Sequence, residues 1–204
     1  MKKIYLLLTL IGARGSFCAE HQIQTKEIMQ KILVWDSDGT VVGPKNPHDH
    51  NDHSKIILPG VEVVMGKAHF NCMISGTKTP TSQDYDPETL IPGFKELMEK
   101  LPVSVIAFSA SKDGIDCYVL AKKSDGTIEI RKAHEDARYE QYRGKFKKPD
   151  IGMFVVLRDV AQQEFGYSID SATGLMIGDT TYDEQGAQNF GIPFLHATIV
   201  HLKN

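Results

Sequence analysis

The stretch KILVWDSDGT, residues 31–40, decides the fold. Its first half is an apolar run with no polar face, the pattern of a strand buried on both sides, as in a parallel sheet covered by helices. The run ends at Asp36, and Asp38 follows two residues on. Two carboxylates just past a strand can approach one point if the chain turns there, and Gly39 permits the turn. Such a pair repels itself unless it shares a cation or a proton. Magnesium prefers hard oxygen ligands of this kind, one or two carboxylates together with a substrate phosphate. A solvated Asp-x-Asp-Gly turn has the same text, so the motif has to be read with the rest of the chain.

Working outward, the chain alternates strands and helices. Apolar runs at 70–74, 103–108, 175–177 and 192–195 predict four more strands. Val61, Val64, Met65 and Ala68, after Pro59-Gly60, recur at helical spacing. Asp86-Pro87-Glu88 is a helix start, but Pro92-Gly93 predicts that regular helix begins only at Pro92, with Phe94, Leu97, Met98 and Leu101 as its apolar face. Residues 150–165 form an amphipathic helix ended by Gly166, and residues 182–190 a helix closed by Gly191. Residues 118–122 and 127–131 read as a β-hairpin. The expected fold is α/β: a Rossmann-like three-layer sandwich around a five-stranded, mainly parallel sheet, with a small flap, a hairpin insertion at 116–132 and no large cap.

Ligands of such folds bind outside the carboxyl ends of the strands. Four of those ends carry polar residues. The first delivers Asp36 and Asp38, and the second delivers Ser75-Gly76, a hydroxyl followed by accessible backbone N–H groups. The fourth delivers Asp179, with Asp183 one helical turn further on. Lys148 precedes Pro149 at the start of the long helix, where its charge adds to the partial positive charge of a helix N-terminus. An N-capping Asp179 beside a surface Asp183 is the bland alternative. It does not account for acids recurring at two strand ends. Ser109 also follows an apolar strand, but choosing it over Ser75 would orphan one strand of the five.

Together WDSDGT, MISGT, KKPDIGMF and GDTTYD resemble the four motifs of the haloacid dehalogenase superfamily of phosphohydrolases, over about residues 31–195. The resemblance implies that Asp36 is a nucleophile forming an aspartyl-phosphate and that Asp38 is the general acid and then base. It implies that Ser75, Gly76 and Lys148 hold the phosphate. It also implies that Asp36, Asp179, Asp183 and the backbone carbonyl of Asp38 serve Mg²⁺. With 38 residues between Asp36 and Ser75, there is room for a flap but not a cap. That layout is similar to the capless subclass, which includes polynucleotide 3′-phosphatases and histidinol-phosphate phosphatases. Ser75-Gly76 departs from the Thr-Asn usual in that subclass. An open site admits bulky phosphorylated substrates: small molecules, nucleic-acid ends or phosphoproteins.

Two further stretches are open to two readings each. Between residues 131 and 148 seven basic side chains face three acidic ones, with Tyr139, Tyr142 and Phe146 interleaved. This is either a polyanion-binding strip or a solvated face of an insertion. The His48, His50 and His53 run is either a transition-metal site or a polar flap, and the flap is the commoner case. Trp35 reads as core.

The first residues have a basic start, a ten-residue apolar run and a small-residue exit, the order of a signal peptide over residues 1–19. Such a run is too short for a bilayer. The expectation is an exported protein with no membrane insertion of the mature chain, the alternative being a cytoplasmic one. Cleavage after Ala19 removes three basic and no acidic residues, taking the net charge from −3 to −6. At 204 residues and 41% hydrophobic the chain is one globular domain, and its mild charge provides no global pull toward polyanions. Cys18, Cys72 and Cys117 cannot build a disulfide scaffold, and the latter two read as buried thiols. The functional expectation is a Mg²⁺-dependent phosphomonoesterase. A phosphate- or nucleic-acid-binding module with weak turnover and an exported phosphoprotein phosphatase are the alternatives.

Overall fold

A computed structural model describes residues 31–45, 55–76 and 85–201. The 1–19 segment, Cys18 and the His48–His53 run lie outside the described residues. Nine strands, β1 to β9, and five α-helices, α1 to α5, are numbered here in chain order among the described residues. At the centre, β1 (Ile32–Asp36) lies parallel to both β4 (Phe70–Ser75) and β8 (Gly174–Gly178). β5 (Val105–Phe108) continues the parallel set beyond β4, and β9 (Phe194–His196) beyond β8. These five are the strands expected from the apolar runs.

The sheet nevertheless has seven strands, not five. β6 (Tyr118–Lys122) pairs antiparallel with β5, and β7 (Ile128–Lys132) with β6, giving the order β7-β6-β5-β4-β1-β8-β9. The expected hairpin is therefore an extension of the main sheet. The reason is burial: Val119, Leu120 and Ala121 are covered on both faces, and β6 occupies an edge of β5 that would otherwise present unpaired backbone groups. The new edge, β7, carries Glu129, Arg131 and Lys132, charges that oppose further pairing.

Side chains alternate across the sheet and divide the core into two layers. Ile32, Val34, Cys72 and Ile74 face one side, where α3 (Gly152–Phe165) and Ala187 of α4 (Thr181–Phe190) cover them. Leu33, Trp35 and Met73 face the other, under α1 (Val61–Met65), α2 (Pro87–Lys100) and Val200 of α5 (Thr198–His201). Trp35 is core, as expected, and its Nε1 donates to Asn71 Oδ1 at 3.1 Å. Asn71 Nδ2 in turn donates to the Met65 carbonyl at 2.9 Å, so this buried polar pair is satisfied. Cys72 and Cys117 are buried free thiols, and desolvation pushes both thiol pKa values upward.

α2 is continuous from Pro87, which corrects the expectation that regular helix starts at Pro92. Asp86 caps it by accepting from the Glu88 N–H at 3.0 Å. Pro92 removes a donor to the Glu88 carbonyl, but both residues are exposed, on a face where a carbonyl can bond to solvent instead. Ile91, Phe94 and Met98 bury the other face and hold the helix through the proline. Between β1 and α1 a two-stranded antiparallel ribbon, β2 (Val42–Pro44) with β3 (Lys55–Ile57), stands outside the main sheet.

Asn71→Ala strands the Trp35 indole N–H in the core and leaves the Met65 carbonyl with only the Ala68 N–H. Urea unfolding should register a loss of about 2–4 kcal/mol.

Candidate active site

The carboxyl edge of the parallel strands gathers the polar residues read from the sequence. Asp36 ends β1, and Asp179 follows β8. Asp183 comes back to the same point from the first turn of α4. Each of the three offers an oxygen, and these oxygens lie within 4.8 Å of one another. Lys148, from the loop before α3, donates to Asp36 Oδ1 and to Asp183 Oδ1. Its side chain is only 6% exposed, and those of Asp36 and Asp183 are more deeply buried still.

Two glycines make the approach possible. Gly39 has φ +81°, and a Cβ there would collide with the Asp179 carboxylate. A Cβ on Gly178 would collide with Asp183 in the same way. Hydroxyls then fix the carboxylates. Thr40 Oγ1 donates weakly to Asp36 Oδ2 and to Asp179 Oδ1, each at 3.4 Å. Thr180 is the N-cap of α4 and forms a capping box: its N–H and Oγ1 reach Asp183 Oδ2 at 2.9 and 2.6 Å. This disposes of the bland reading, since the cap is Thr180 and Asp183 is buried rather than on the surface. The His201 ring, in α5, meets the Thr40 carbonyl from Nε2 at 2.8 Å and ties the loop after β1 to that helix.

Burial opposes the charged form of Lys148, yet the Asp36 and Asp183 carboxylates outweigh it and hold the ammonium above its ordinary range. Burial likewise pushes Asp183 up, and the Lys148 charge overcomes it and leaves the carboxyl below its usual range. Lys148 answers two of these carboxylates directly, and three acids converging on one point suit a divalent cation. Among the described residues the donors gathered here are all carboxylate oxygens, and a hard ion such as Mg²⁺ suits them.

Asp38 stands apart from this cluster. Its carboxylate is 40% exposed and pairs with Lys55 of β3. Ser75 is the last residue of β4, directly beside β1, with Gly76 next to it. Ser109 lies one strand further out, and its hydroxyl donates to Asp116 Oδ1 at 2.7 Å. The same Asp116 oxygen accepts from the Ala110 and Ser111 N–H groups at 3.0 Å, so Ser109 belongs to a closed turn. Sequence reasoning missed Lys55, Thr180 and His201. TTYD does carry the Thr-x-x-acid spacing of a capping box, whereas Lys55 and His201 leave no local signal.

The basic stretch resolves to the solvated, self-paired reading. Arg131 pairs with Glu164, Lys132 with Glu135, Arg138 with Asp136 and Arg143 with Glu140. Tyr139 and Phe146 are core residues, not a stacking surface. Among the described residues no helix is long and apolar enough to cross a membrane. Comparison with protein-family models gives no match, and comparison with curated proteins gives none either.

The sign of the acid limb follows from Asp183. Unfolded, it takes up its proton near the ordinary value of 3.8; folded, only at lower pH. Its contribution to stability is complete above about pH 4 and is lost as pH falls through the depressed folded value. In EDTA, urea unfolding between pH 2.5 and 6 should show a stability loss at the acid end that Asp183→Asn reduces.

Proposed function

We propose that this chain is a Mg²⁺-dependent phosphomonoesterase working through an aspartyl-phosphate on Asp36, in the manner of the haloacid dehalogenase superfamily. One observation carries the reading: a buried lysine clamps Asp36 and Asp183 beside Asp179 at the carboxyl edge of a parallel sheet, with a second, exposed acid two residues past Asp36. A structural ion pair alone would not need the third acid.

Asp36, Asp179 and Asp183, with the Asp38 backbone carbonyl, are the groups that would hold the metal. Bound there, Mg²⁺ would offset the charge of the phosphate and let an anionic nucleophile approach it. Lys148 fixes the rotation of the Asp36 carboxylate by holding Oδ1 and adds positive charge where the phosphate docks. Ser75 and the Gly76 backbone bind phosphate oxygens. Asp36 attacks phosphorus, the bond from phosphorus to the leaving oxygen breaks, and Asp38 gives that oxygen a proton. Asp38, now anionic, takes a proton from water. The water oxygen attacks phosphorus, the Asp36–phosphorus link breaks, and phosphate and the free carboxylate are restored. Half-exposed Asp38 suits a group that meets both a leaving alcohol and an incoming water. The proposal extends to an exported protein, on the 1–19 segment alone.

The purified protein should hydrolyse p-nitrophenyl phosphate with Mg²⁺, lose the activity in EDTA and regain it on Mg²⁺ addition. Asp36→Asn should lower turnover by at least about 10³-fold with an unchanged circular dichroism spectrum. Undiminished turnover in that variant overturns the mechanism.

A further inference from the structure

A groove of about 550 Å³ lies between the ribbon β2–β3 and α2, outside the cluster of acids and Lys148. Its inner end is formed by Ser37, between Asp36 and Asp38, and by Lys55, the ion-pair partner of Asp38. From there Ile56 and Ile57 of the ribbon face Leu90, Phe94 and Leu97 of α2. Ile56 is 43% exposed, a large apolar residue left uncovered at the site's margin. The outer end is closed by the Glu96–Lys100 pair, 2.6 Å apart. Measured along α2 from Thr89 to Lys100, the groove is roughly 16 Å long.

The general acid of a phosphatase must face the leaving oxygen. Asp38 faces Lys55 at the inner end of this groove, so an alcohol departing from a phosphate seated at Asp36 leaves on the groove side. The walls then read what that alcohol is. Ser37, Lys55, Thr89, Glu96 and Lys100 are polar points in this lining, but against its Ile, Leu and Phe side chains a sugar would surrender water from several hydroxyls with no hydrogen bond in return. An alkyl or aryl group gains from the same contact.

We infer that this groove binds the leaving group of the substrate, and that the substrate is the phosphate monoester of an apolar alcohol rather than of a sugar. The inference rests on the phosphatase reading for the identity of the phosphate end. Its own content is the selectivity of the groove.

Gly93 provides the test. It lines the groove from within α2, and a Cβ there meets nothing within 4 Å. The first atom of a side chain at Gly93 therefore has room, and Gly93→Phe adds a ring beside the groove while removing a glycine from a helix interior, so its melting temperature should equal or exceed that of the wild type. In the wild type, kcat/KM over methyl, butyl, hexyl and octyl phosphate should rise by about threefold per methylene. Gly93→Phe should keep methyl phosphate turnover and lose at least about tenfold on octyl phosphate. A flat series, an undiminished rise in the variant, or equal losses on methyl and octyl phosphate overturns the inference. Calorimetry with methyl- and octylphosphonate, which cannot be hydrolysed, separates the two readings. Preference for octylphosphonate that Gly93→Phe abolishes, without turnover of any ester, upholds the groove and overturns the phosphatase. Turnover with equal binding of both phosphonates upholds the phosphatase and overturns the groove.

Discussion

The site depends on one buried cation. Three carboxylates converge where β1, β8 and α4 meet, and their mutual repulsion opposes the fold. Lys148 answers it by touching two of them at once. Burying an ammonium is costly unless its partners are close and well aligned, and removing one partner of such a pair typically costs about 3–5 kcal/mol. The loop before α3 is therefore bound to the sheet centre by charge, independently of the apolar packing of α3 below it. A strand end and a helix N-terminus far apart in sequence are fastened through the same ammonium.

Steric exclusion sets how close the acids come. Gly39 and Gly178 are needed because the side chains of Asp179 and Asp183 occupy the space a Cβ would take. The capping box then holds Asp183 in place through Thr180, so the start of α4 and the site share one set of hydrogen bonds. Helix capping, sheet topology and site geometry are here a single arrangement. Any shift of α4 along β8 would break the cap and the ion pair together.

This explains which features could be read before the structure. Four of the five parallel strands were legible because burial on both faces leaves an apolar run, and the edge strand β9, only half-buried, still shows a short one. The acids were legible because strand ends in a parallel sheet share one edge, so Asp36 and Asp179 had to meet whatever the loop lengths. The attachment of the hairpin to β5 was not legible: it is a pairing choice set by burial of Val119 to Ala121, and the hairpin text is the same whether it stands alone or joins the sheet. Pro92 misled because its cost depends on whether the Glu88 carbonyl reaches water, which is a property of the helix's orientation. The basic stretch stayed open between two readings for a related reason. Counting charges shows an excess, but only the fold brings Glu164 to Arg131.

The two lysine–aspartate pairs of the site are chemically alike and physically opposite. Lys148–Asp36 lies in the interior, where little solvent screens it and neither partner can be released cheaply. Lys55–Asp38 is 55% and 40% exposed, and a pair in that setting contributes about 1 kcal/mol or less. The first can serve as a fixed frame for a reacting carboxylate. The second can open when another group takes its place, because water and counter-ions replace what is lost. Asp38 sits two residues from Asp36 and yet belongs to the exchangeable pair, since the turn at Gly39 sends one carboxylate inward and leaves the other at the surface. Under the proposed phosphatase reading, that division of a two-residue motif between a rigid interior and a labile margin is what acid–base exchange with bulk water beside a held nucleophile would require.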